Sequence, residues 1–296
     1  MLRARGAERR AIARDAVFRA AGGVTPSLAV DADGIRFHLN TADKEISRIV
    51  FIYGLYDRPL MHAAFEGLRR LGGPAGFGGR RLVDIGANIG TTTLTACTHF
   101  GASGAVAFEP DPTNLRFLDL NLRANGLEGR VKVHAAAVSD RPGTVTLELS
   151  ADNAGDHRVR RGPKPGAALE TVEVPALALD DLIAAGELDP AEVGAVWLDV
   201  QGHEGQALAG ARRLLEAGPP VVVEYWPHGL REAGGLELFD EVAAAHYTRL
   251  IDLGRPQDGP AGFEPQPVVE LPGIAERYAG AGDHTDLLLV PPSLDG

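Results

Sequence analysis

An apolar strand that enters a glycine-containing turn is the feature that most constrains this sequence. Residues 82–90 read LVDIGANIG, and nineteen residues after Gly90 a second apolar run, AVAFEP, contains Glu109. Gly86 and Gly90 carry no Cβ, so a ligand can approach the backbone of the turn closely. A carboxylate at the end of the next strand can accept hydrogen bonds from the hydroxyls of a ribose. Together these segments predict a parallel sheet that binds a ribose-containing ligand beyond the carboxyl ends of its strands.

The same turn favours one type of cofactor. The dinucleotide fingerprint, G-x-G-x-x-G, has a central glycine that lets a pyrophosphate approach the following helix, and this turn lacks it. Asn88 would crowd a pyrophosphate but can hydrogen-bond a small zwitterion, and Asp84 would repel phosphate but attract an ammonium group. S-adenosylmethionine joins an amino acid to a ribose and suits both residues. A dinucleotide, or an ordinary strand–helix turn with a capping aspartate, is the alternative interpretation.

Composition limits the class of partner. The chain has 296 residues and a net charge of −11, which argues against a nucleic-acid partner, because nucleic acids require a basic face. Its one cysteine, Cys97, cannot form an intramolecular disulfide. No stretch approaches the ~20 apolar residues that a membrane-spanning helix needs, and the arginine-rich N-terminus has no apolar signal core. We therefore expect a cytoplasmic protein with a small-molecule substrate and no nucleic-acid or membrane partner, and leave a homo-oligomer open.

Strands and helices alternate from residue 81 onward. Apolar runs bounded by turn residues predict strands, and apolar residues at helical spacing predict the helices between them. This alternation predicts an α/β fold, a three-layer sandwich with a mostly parallel seven-stranded sheet and helices on both faces. The predicted strands of this sheet are 81–85, 105–109, 131–136, 195–200, 220–225, 247–253 and 285–290, with further strands at 144–149 and 171–179 and helices at 91–100, 113–124, 204–217 and 236–245.

The residues before the first of these strands form a predicted extension. Residues 1–72 contain a predicted helix at 1–22, a hairpin over 28–39 and a helix at 60–71. We place the main domain at 73–296.

Two segments of the main domain, 150–170 and 254–283, are rich in glycine and proline. Loops of this length are uncommon unless they cover a site. The first one carries a basic cluster that either binds an anionic substrate tail or is solvated. This cluster consists of Arg158, Arg160, Arg161 and Lys164.

Candidate catalytic residues follow the strands that end at the same edge of the sheet as Glu109. Asp199, His203 and Glu204 come at the end of the fourth predicted strand, and Glu224 at the end of the fifth. An alcohol has a pKa near that of water, ~15.7, so methyl transfer to a hydroxyl needs a group that removes the proton. His203 is the best base by residue type, because an imidazole at a helix N-terminus stays neutral. Asp199 can act as the base itself or orient the histidine or the substrate.

Simpler roles remain open for some of these residues. A glutamate at the start of a helix, such as Glu204, is favoured by the helix dipole alone. His203 can be a surface residue, and Glu224 can pair with an arginine. A magnesium-type site built on Asp199 and Glu224 would use carboxylate oxygens. We do not favour a divalent metal, because the region has no Asp-x-Asp pair.

The order of these motifs resembles that of the FkbM-type methyltransferases. The matching segments run from residue 83 to residue 226, about half the chain. They are VDIGANIGTTTL, AFEPDPTNLRFLDLNLRANGL, VHAAAVSD, SADNAGDHRV, LDDLI, LDVQGHEGQALAGARRLL and VVVEYW. The resemblance implies the class I fold of S-adenosylmethionine-dependent methyltransferases, which is Rossmann-like, and methylation of hydroxyl groups on sugars, polyketides or related secondary metabolites. Many members carry Asp-Val-Glu-Gly-x-Glu where this chain has Gln201 and His203 in Asp-Val-Gln-Gly-His-Glu.

The resemblance also assigns cofactor-binding positions. Asp84, Gly86, Asn88 and Gly90 are expected to hold the methionine part, and Glu109 the ribose. The adenine is expected near Ala137, Val138 and Ser139. The flanking residues Thr91, Pro110 and Asn114 complete the expected set.

The resulting prediction is an S-adenosylmethionine-dependent O-methyltransferase that acts on a small molecule. The alternatives are an NAD-dependent oxidoreductase on a related sheet and a non-catalytic module that binds the nucleoside. Methylation of nitrogen or of a carboxyl group stays open, because neither requires a strong base.

Overall fold

The computed structural model describes residues 2–54, 56–150, 153, 155, 157–160, 170–254 and 263–294, with only the backbone of residues 2–5 and 160. Arg161 and Lys164 of the predicted basic cluster lie outside these ranges, as does the side chain of Arg160. Within these ranges, no helix is both long and apolar enough to cross a membrane.

The N-terminal part of the chain contains the predicted helix, hairpin and second helix. Its elements are α1 (Leu2–Gly22), β1 (Ser27–Ala32), β2 (Ile35–Asn40), α2 (Ile46–Tyr53) and α3 (Arg58–Arg70). The strands β1 and β2 pair antiparallel around the DADG turn. The short helix α2 was not predicted, because its sequence, ISRIVFIY, is rich in β-branched residues with modest helix propensity.

The main domain begins with β3. Its strands are β3 (Arg81–Ile85), β4 (Ala105–Phe108), β5 (Val131–His134), β6 (Ala137–Val138), β7 (Gly143–Glu148), β8 (Arg158–Arg160), β9 (Thr171–Leu177), β10 (Val193–Leu198), β11 (Val221–Tyr225), β12 (Arg249–Asp252), β13 (Gln266–Pro267) and β14 (Thr285–Val290). Its helices are α4 (Thr91–His99), α5 (Pro112–Ala124), α6 (Leu179–Ala184), α7 (Glu204–Ala209), α8 (Arg212–Glu216), α9 (Pro227–Glu232), α10 (Leu236–His246) and α11 (Leu271–Arg277).

The central sheet has the mixed, mainly parallel arrangement that the sequence predicts. In the described part of the chain its order is β13-β12-β14-β11-β10-β3-β4-β5. Five neighbouring strands of this sheet run parallel: β5, β4, β3, β10 and β11. β14 lies between β11 and β12 and runs antiparallel to both. The seven predicted strands are all present, and the two-residue edge strand β13 is an eighth.

The strand order reverses between β3 and β10. From β3 the chain proceeds to β4 and β5 on one side, and it later returns to β10 and β11 on the other. In open α/β sheets, ligands bind beyond the carboxyl ends of the strands at such a reversal. Ile85 and Leu198, the last residues of β3 and β10, are paired in register. The residues that follow them, Gly86 and Asp199, are therefore neighbours at this edge.

Apolar residues fill the space on both faces of the sheet. One core contains residues of α7, α10 and α11 packed against central and outer strands of the sheet. The other includes α4 and α5, and here Phe37 and Met61 of the N-terminal part are buried with Leu94 and Leu118 of the main domain. The boundary at residues 72 and 73 stays a prediction.

Three details of the main domain differ from the sequence-based expectation. The predicted helix 204–217 is two helices, α7 and α8, because the chain bends where Gly210 lies against the carbonyl oxygen of Ser139. The segment 254–283, expected to be a loop, contains α11, and the segment 150–170 contains β8. β8 joins β6, β7 and β9 in a small second sheet, which lies beside the site described below.

Candidate active site

The turn after β3 connects three strand ends. Gly86 has a φ of +90°, and a Cβ at this position would overlap the carbonyl oxygen of Asp199. The N–H groups of Gly86 and Ala87 both donate to the carbonyl of Phe108, at 2.9 Å each, and the N–H of Asp199 donates to the carbonyl of Ile85 at 3.0 Å. The ends of β3, β4 and β10 are therefore held at one place, where only glycine fits.

Glu109 has a fixed orientation at the end of β4. One carboxylate oxygen accepts the N–H of Asn88 and the other accepts the N–H of Asp111, both at 2.8 Å. Asn88 adopts a left-handed conformation, with a φ of +50°, and its side-chain oxygen accepts the N–H of Ile89 at 2.8 Å. Burial raises the pKa of Glu109 to about 7, although the two N–H groups oppose this rise. The carboxylate is thus held rigidly in the wall of a cavity.

Asp84 lies behind the turn rather than in this wall. It is 1% exposed, and its Oδ2 accepts the hydroxyl of Thr93 at 2.5 Å. Its Oδ1 has no hydrogen-bond partner among the described residues. Burial raises the pKa of Asp84 to about 7. A cationic group at this end of the cavity would therefore favour the ionised form of Asp84.

Three of the remaining predicted cofactor residues line the same cavity, whereas Gly90 does not. Gly90 precedes α4 and Thr91 begins it, and Thr91, Pro110 and Asn114 line the cavity.

The far end of the cavity is apolar. Ala137 and Val138 of β6 line it together with Phe108 and Leu147. Such a wall suits a flat aromatic group such as adenine. Ser139, the next residue, does not line the cavity but hydrogen-bonds a residue that does.

Two cavities meet at this edge of the sheet. The inner cavity, of about 770 Å³, contains the residues described above. The outer cavity, of about 790 Å³, shares Ile46, Tyr56, Gly155, Asp199 and Gln201 with it. A ligand in one cavity can thus contact a ligand in the other at the shared residues.

The outer cavity adds a separate group of side chains. Glu224, Trp226, Arg158 and His284 line it. The guanidinium carbon of Arg158 lies 4.4 Å from the centre of the Trp226 ring. The indole N–H of Trp226 donates to the carbonyl of Ala281 at 2.9 Å, which fixes the ring at the cavity wall.

The structure brings Asp199 and Glu224 together through Gln201. The side-chain nitrogen of Gln201 donates to Asp199 Oδ1 at 2.7 Å and to Glu224 Oε2 at 2.8 Å. The sequence analysis named both carboxylates as candidate catalytic residues and noted Gln201 only as a departure from the family's pattern. Among the described residues, no group of three or more histidine, cysteine, aspartate or glutamate side chains has the geometry of a metal site.

His203 lines the inner cavity, and its ring contacts the residue after Val138. It is 2% exposed, and its Nε2 lies 3.0 Å from Ser139 Oγ. The Ser139 hydroxyl donates to Asp140 Oδ1 at 3.0 Å, so its oxygen accepts the ring N–H of His203. This geometry ties the His203 ring to Ser139, the residue that follows Ala137 and Val138.

Glu204 lines neither cavity. It is completely buried, and its Oε1 accepts the N–H groups of Val200 and Gly202 at 3.1 and 3.0 Å. Burial raises its pKa to about 7. The position of this side chain indicates that it stabilises the turn between β10 and α7.

The sequence analysis missed two site residues from the N-terminal part. Tyr56 lines both cavities and Asp57 lines the inner one. Asp57 Oδ2 accepts the hydroxyl of Thr92 at 2.9 Å, and burial raises its pKa to about 6. No local motif marks these residues, because they reach the site through the packing of the N-terminal elements.

Described residues of the segment 150–170 also line the inner cavity. They are Gly155, His157 and Val159. His157 Nδ1 accepts the N–H of Ser150 at 3.0 Å, which places the ring proton of a neutral imidazole on Nε2. The sequence signals for these residues are the length of the predicted loop and the family-like segment SADNAGDHRV, which contains all three.

The described lining of the inner cavity is acidic. It includes Asp57, Glu109 and Asp199 and no lysine or arginine. Such a lining favours a cationic ligand over a phosphate.

A parallel sheet with this reversal, a glycine turn after its first strand and a carboxylate after its second fit the Rossmann-like fold of class I S-adenosylmethionine-dependent methyltransferases. The family model for the methyltransferase FkbM domain matches residues 84–247, more than half of the chain. The chain therefore belongs to the FkbM methyltransferase family.

Solved structures with similar folds have low sequence identity to this chain. The methyltransferase FkbM from Methylobacillus flagellatus KT is 21% identical over 56% of this chain, with a TM-score of 0.38. The chain covers 37% of that protein, little more than a third of its length. TYW2 from M. jannaschii in complex with AdoMet is 12% identical, over 89% of this chain and 84% of that one, with a TM-score of 0.44. Geranyl diphosphate methyltransferase in complex with SAM is 13% identical, over 82% and 88%, with a TM-score of 0.39. No curated protein matches the sequence.

Proposed function

We propose that this methyltransferase transfers the methyl group of S-adenosylmethionine to a hydroxyl group of a small molecule. One observation carries the proposal: Asp199 lines both cavities at the point where they meet. A carboxylate in this position can contact an acceptor in the outer cavity next to a methyl donor in the inner one.

The residues of the inner cavity fit the three parts of the cofactor. Glu109 has the position and the fixed orientation to accept ribose hydroxyls. The apolar wall that includes Ala137 and Val138 suits the adenine. Asp57, which lines the cavity, suits the positive charges of the methionine part, because a nearby cation stabilises an ionised carboxylate. The Asp84 carboxyl, buried behind the turn, would add to the negative potential at this end without contacting the ligand.

Asp199 is the proposed base. When bound, the cofactor supplies a methyl group that is already activated by its sulfonium charge. The chain must then place the acceptor oxygen correctly, exclude water and accept the hydroxyl proton. Asp199 can accept this proton, whereas the ring of His203 is directed to Ser139.

The outer cavity is the proposed acceptor site. Trp226 and Tyr56 give it aromatic surface, and Asp199 and Glu224 give it hydrogen-bond acceptors. Burial raises the pKa of the Tyr56 phenol further above its usual value, so its O–H remains a donor at neutral pH. This combination suits a small hydroxylated molecule with both polar and apolar surface.

Two measurements test the proposal in sequence. Calorimetric titration with S-adenosylhomocysteine is expected to give saturable binding, and titration with NAD is expected to give none. A screen with a labelled methyl donor against sugars and other hydroxylated metabolites should then yield a product whose new methyl group is on oxygen. Binding of NAD in place of S-adenosylhomocysteine would contradict the cofactor, and methylation on nitrogen or a carboxyl group would contradict the acceptor chemistry.

A further inference from the structure

The Asp57 side chain contacts a different helix from the one that it precedes. Asp57 is the N-cap residue of α3, a position where an aspartate usually accepts a backbone N–H of the first turn. Its side chain makes no such bond, and Pro59 in this turn has no N–H to donate. Asp57 Oδ2 instead accepts the hydroxyl of Thr92, in the first turn of α4, at 2.9 Å. The N-terminal part of the chain thus places a carboxylate against the main domain.

The three acids in the described lining of the inner cavity lie at different places. Glu109 directly follows Phe108 of the apolar wall, and Asp199 lines both cavities where they meet. Asp57 lies at the start of α4, and it lines the inner cavity but not the outer one. A ligand that places a ribose at Glu109 therefore has a separate carboxylate available at the start of α4.

The charge of Asp57 is unfavourable for the ligand-free protein. Burial raises the pKa of Asp57 to about 6, although the hydroxyls of Thr91 and Thr92 oppose this rise. A carboxyl group whose pKa is raised in the folded state lowers the free energy of unfolding once the pH exceeds that pKa. Such a group in the wall of a cavity is typical of a position where a cationic part of the ligand offsets the cost.

S-adenosylmethionine has two positive groups, and they occupy different places. The sulfonium carries the methyl group that is transferred, so it must lie where an acceptor in the outer cavity can reach it. Asp199 lines that junction. The α-ammonium group is at the other end of a short carbon chain. A carboxylate that lines only the inner cavity, as Asp57 does, suits the ammonium rather than the sulfonium.

We propose that Asp57 binds the α-ammonium group of the cofactor and thereby holds the adjacent Tyr56 at the wall shared by the two cavities. The proposal rests on the proposed function, because it requires S-adenosylmethionine in the inner cavity. Tyr56 lines both cavities and is joined to Asp57 by a peptide bond, so a ligand that fixes Asp57 also restrains Tyr56. Both residues precede the family-matched region, 84–247. The N-terminal part therefore supplies contacts that this region lacks.

The direct test uses Asp57→Asn, which keeps the size of the side chain and an oxygen that can accept the Thr92 hydroxyl but removes the charge. Asp31→Asn is the matched control, because Asp31 is 68% exposed, pairs with Arg36 at the surface and lines neither cavity. Each protein is titrated calorimetrically at pH 8 with S-adenosylhomocysteine and with an analogue in which hydrogen replaces the α-amino group.

The expected result is a loss that depends on the amino group. Asp57→Asn should bind S-adenosylhomocysteine about tenfold or more weakly than the wild type and the control, as for a hydrogen bond between charged groups. All three proteins should bind the analogue with affinities within twofold of one another. Unchanged affinity of Asp57→Asn for S-adenosylhomocysteine, or an equal loss for both ligands, would overturn the proposal.

A purely structural role for Asp57 predicts a different pattern. If Asp57 only attached the N-terminal part to α4, Asp57→Asn would keep the bond to Thr92 and would not discriminate between the two ligands. Asp57→Asn is expected to be at least as stable as the wild type to denaturant at pH 8, because it removes an unfavourable charge. The wild type alone gives a further test, since equal affinity for the two ligands would overturn the proposal whatever the variant does.

Hydrogen exchange followed by mass spectrometry measures the effect on Tyr56. In the wild type, saturating S-adenosylhomocysteine should slow exchange in the peptide that contains Tyr56 and Asp57 more than the saturating analogue does. In Asp57→Asn the two ligands should protect this peptide equally. Equal protection by both ligands in the wild type would show that the ammonium group does not restrain Tyr56 and would overturn the proposal.

These measurements need no acceptor substrate. A wild type that does not bind S-adenosylhomocysteine would contradict the cofactor and with it the proposed function. Binding of S-adenosylhomocysteine without the expected dependence on Asp57 would contradict only the role of Asp57.

Discussion

Replacing Glu109 with alanine is expected to weaken cofactor binding by roughly 1.5–3 kcal/mol, the contribution of hydrogen bonds to a charged group. This energy corresponds to a loss of affinity of about 10- to 160-fold. The effect should be specific, because Glu109 is held by the N–H groups of Asn88 and Asp111 and lines the inner cavity. Alanine leaves both N–H groups without this acceptor, so the variant is also expected to lose stability.

Calorimetric titration with S-adenosylhomocysteine at pH 8 measures the affinity. Glu187→Ala is the matched control, because Glu187 is 47% exposed and pairs with Lys132 at the surface; its affinity should stay within twofold of the wild type. Circular dichroism of the Glu109→Ala protein establishes that it is folded. A folded variant with unchanged affinity would show that Glu109 does not bind the ribose.

The pH dependence of the same titration gives a second check. Burial raises the pKa of Glu109 to about 7, so we expect this carboxyl to be partly protonated at neutral pH before the ligand binds. A ligand that binds its ionised form releases a proton, and the affinity should rise between about pH 6 and pH 8. Repeating the titration in buffers of different ionisation enthalpy measures the proton release, and its absence would refute this assignment.

Three further predictions concern the base, the histidine and the stability of the ligand-free protein. Asp199→Asn should lower kcat by about 10²–10⁴-fold, the usual contribution of a general base, and steady-state kinetics with an acceptor from the screen measures it; unaltered kcat would exclude the role. His203→Ala should lower the free energy of unfolding by about 1 kcal/mol through loss of its hydrogen bond, and a kcat loss as large as that of Asp199→Asn would contradict the structural role. The carboxyl groups of Glu109 and Glu204 have a pKa of 4.5 in the unfolded chain, and burial raises it to about 7 in the folded protein. The folded protein therefore binds more protons between these values, so the free energy of unfolding should be highest near pH 4–5, fall up to about pH 7 and then level off. Denaturant titrations from pH 5 to pH 8 measure this fall, and stability that rises over that interval would contradict the raised pKa values.

The sequence predicts the main sheet well because its strands carry local signals. The strands at Arg81–Ile85 and Thr285–Val290 have the predicted bounds, since each is an apolar run between turn residues. The break between α7 and α8 has no comparable signal. It follows from the contact between Gly210 and Ser139, which are distant in sequence.

Among the residues of the site, too, some can be predicted from local sequence patterns and others depend on contacts between distant parts of the chain. The turn at Gly86 and the acid Glu109 are recognisable because their spacing along the chain reflects one strand–helix–strand unit. Asp57 cannot be found in this way, because tertiary packing alone brings it against Thr92. His203 was favoured as the base by residue type, but its orientation depends on Ser139, which lies 64 residues away in the chain.

The charge of the inner cavity affects how tightly the protein binds the cofactor before and after methyl transfer. Its described lining contains carboxylates and no lysine or arginine, and burial raises the pKa of Asp57 to about 6, with the nearby charge of Asp199 adding to the effect. These groups repel one another in the absence of a ligand, and a cation between them relieves the repulsion. S-adenosylmethionine carries a positive charge on sulfur, whereas S-adenosylhomocysteine has a neutral sulfur. The same side chains that attract the methyl donor therefore bind the spent cofactor less tightly, which favours product release after each transfer.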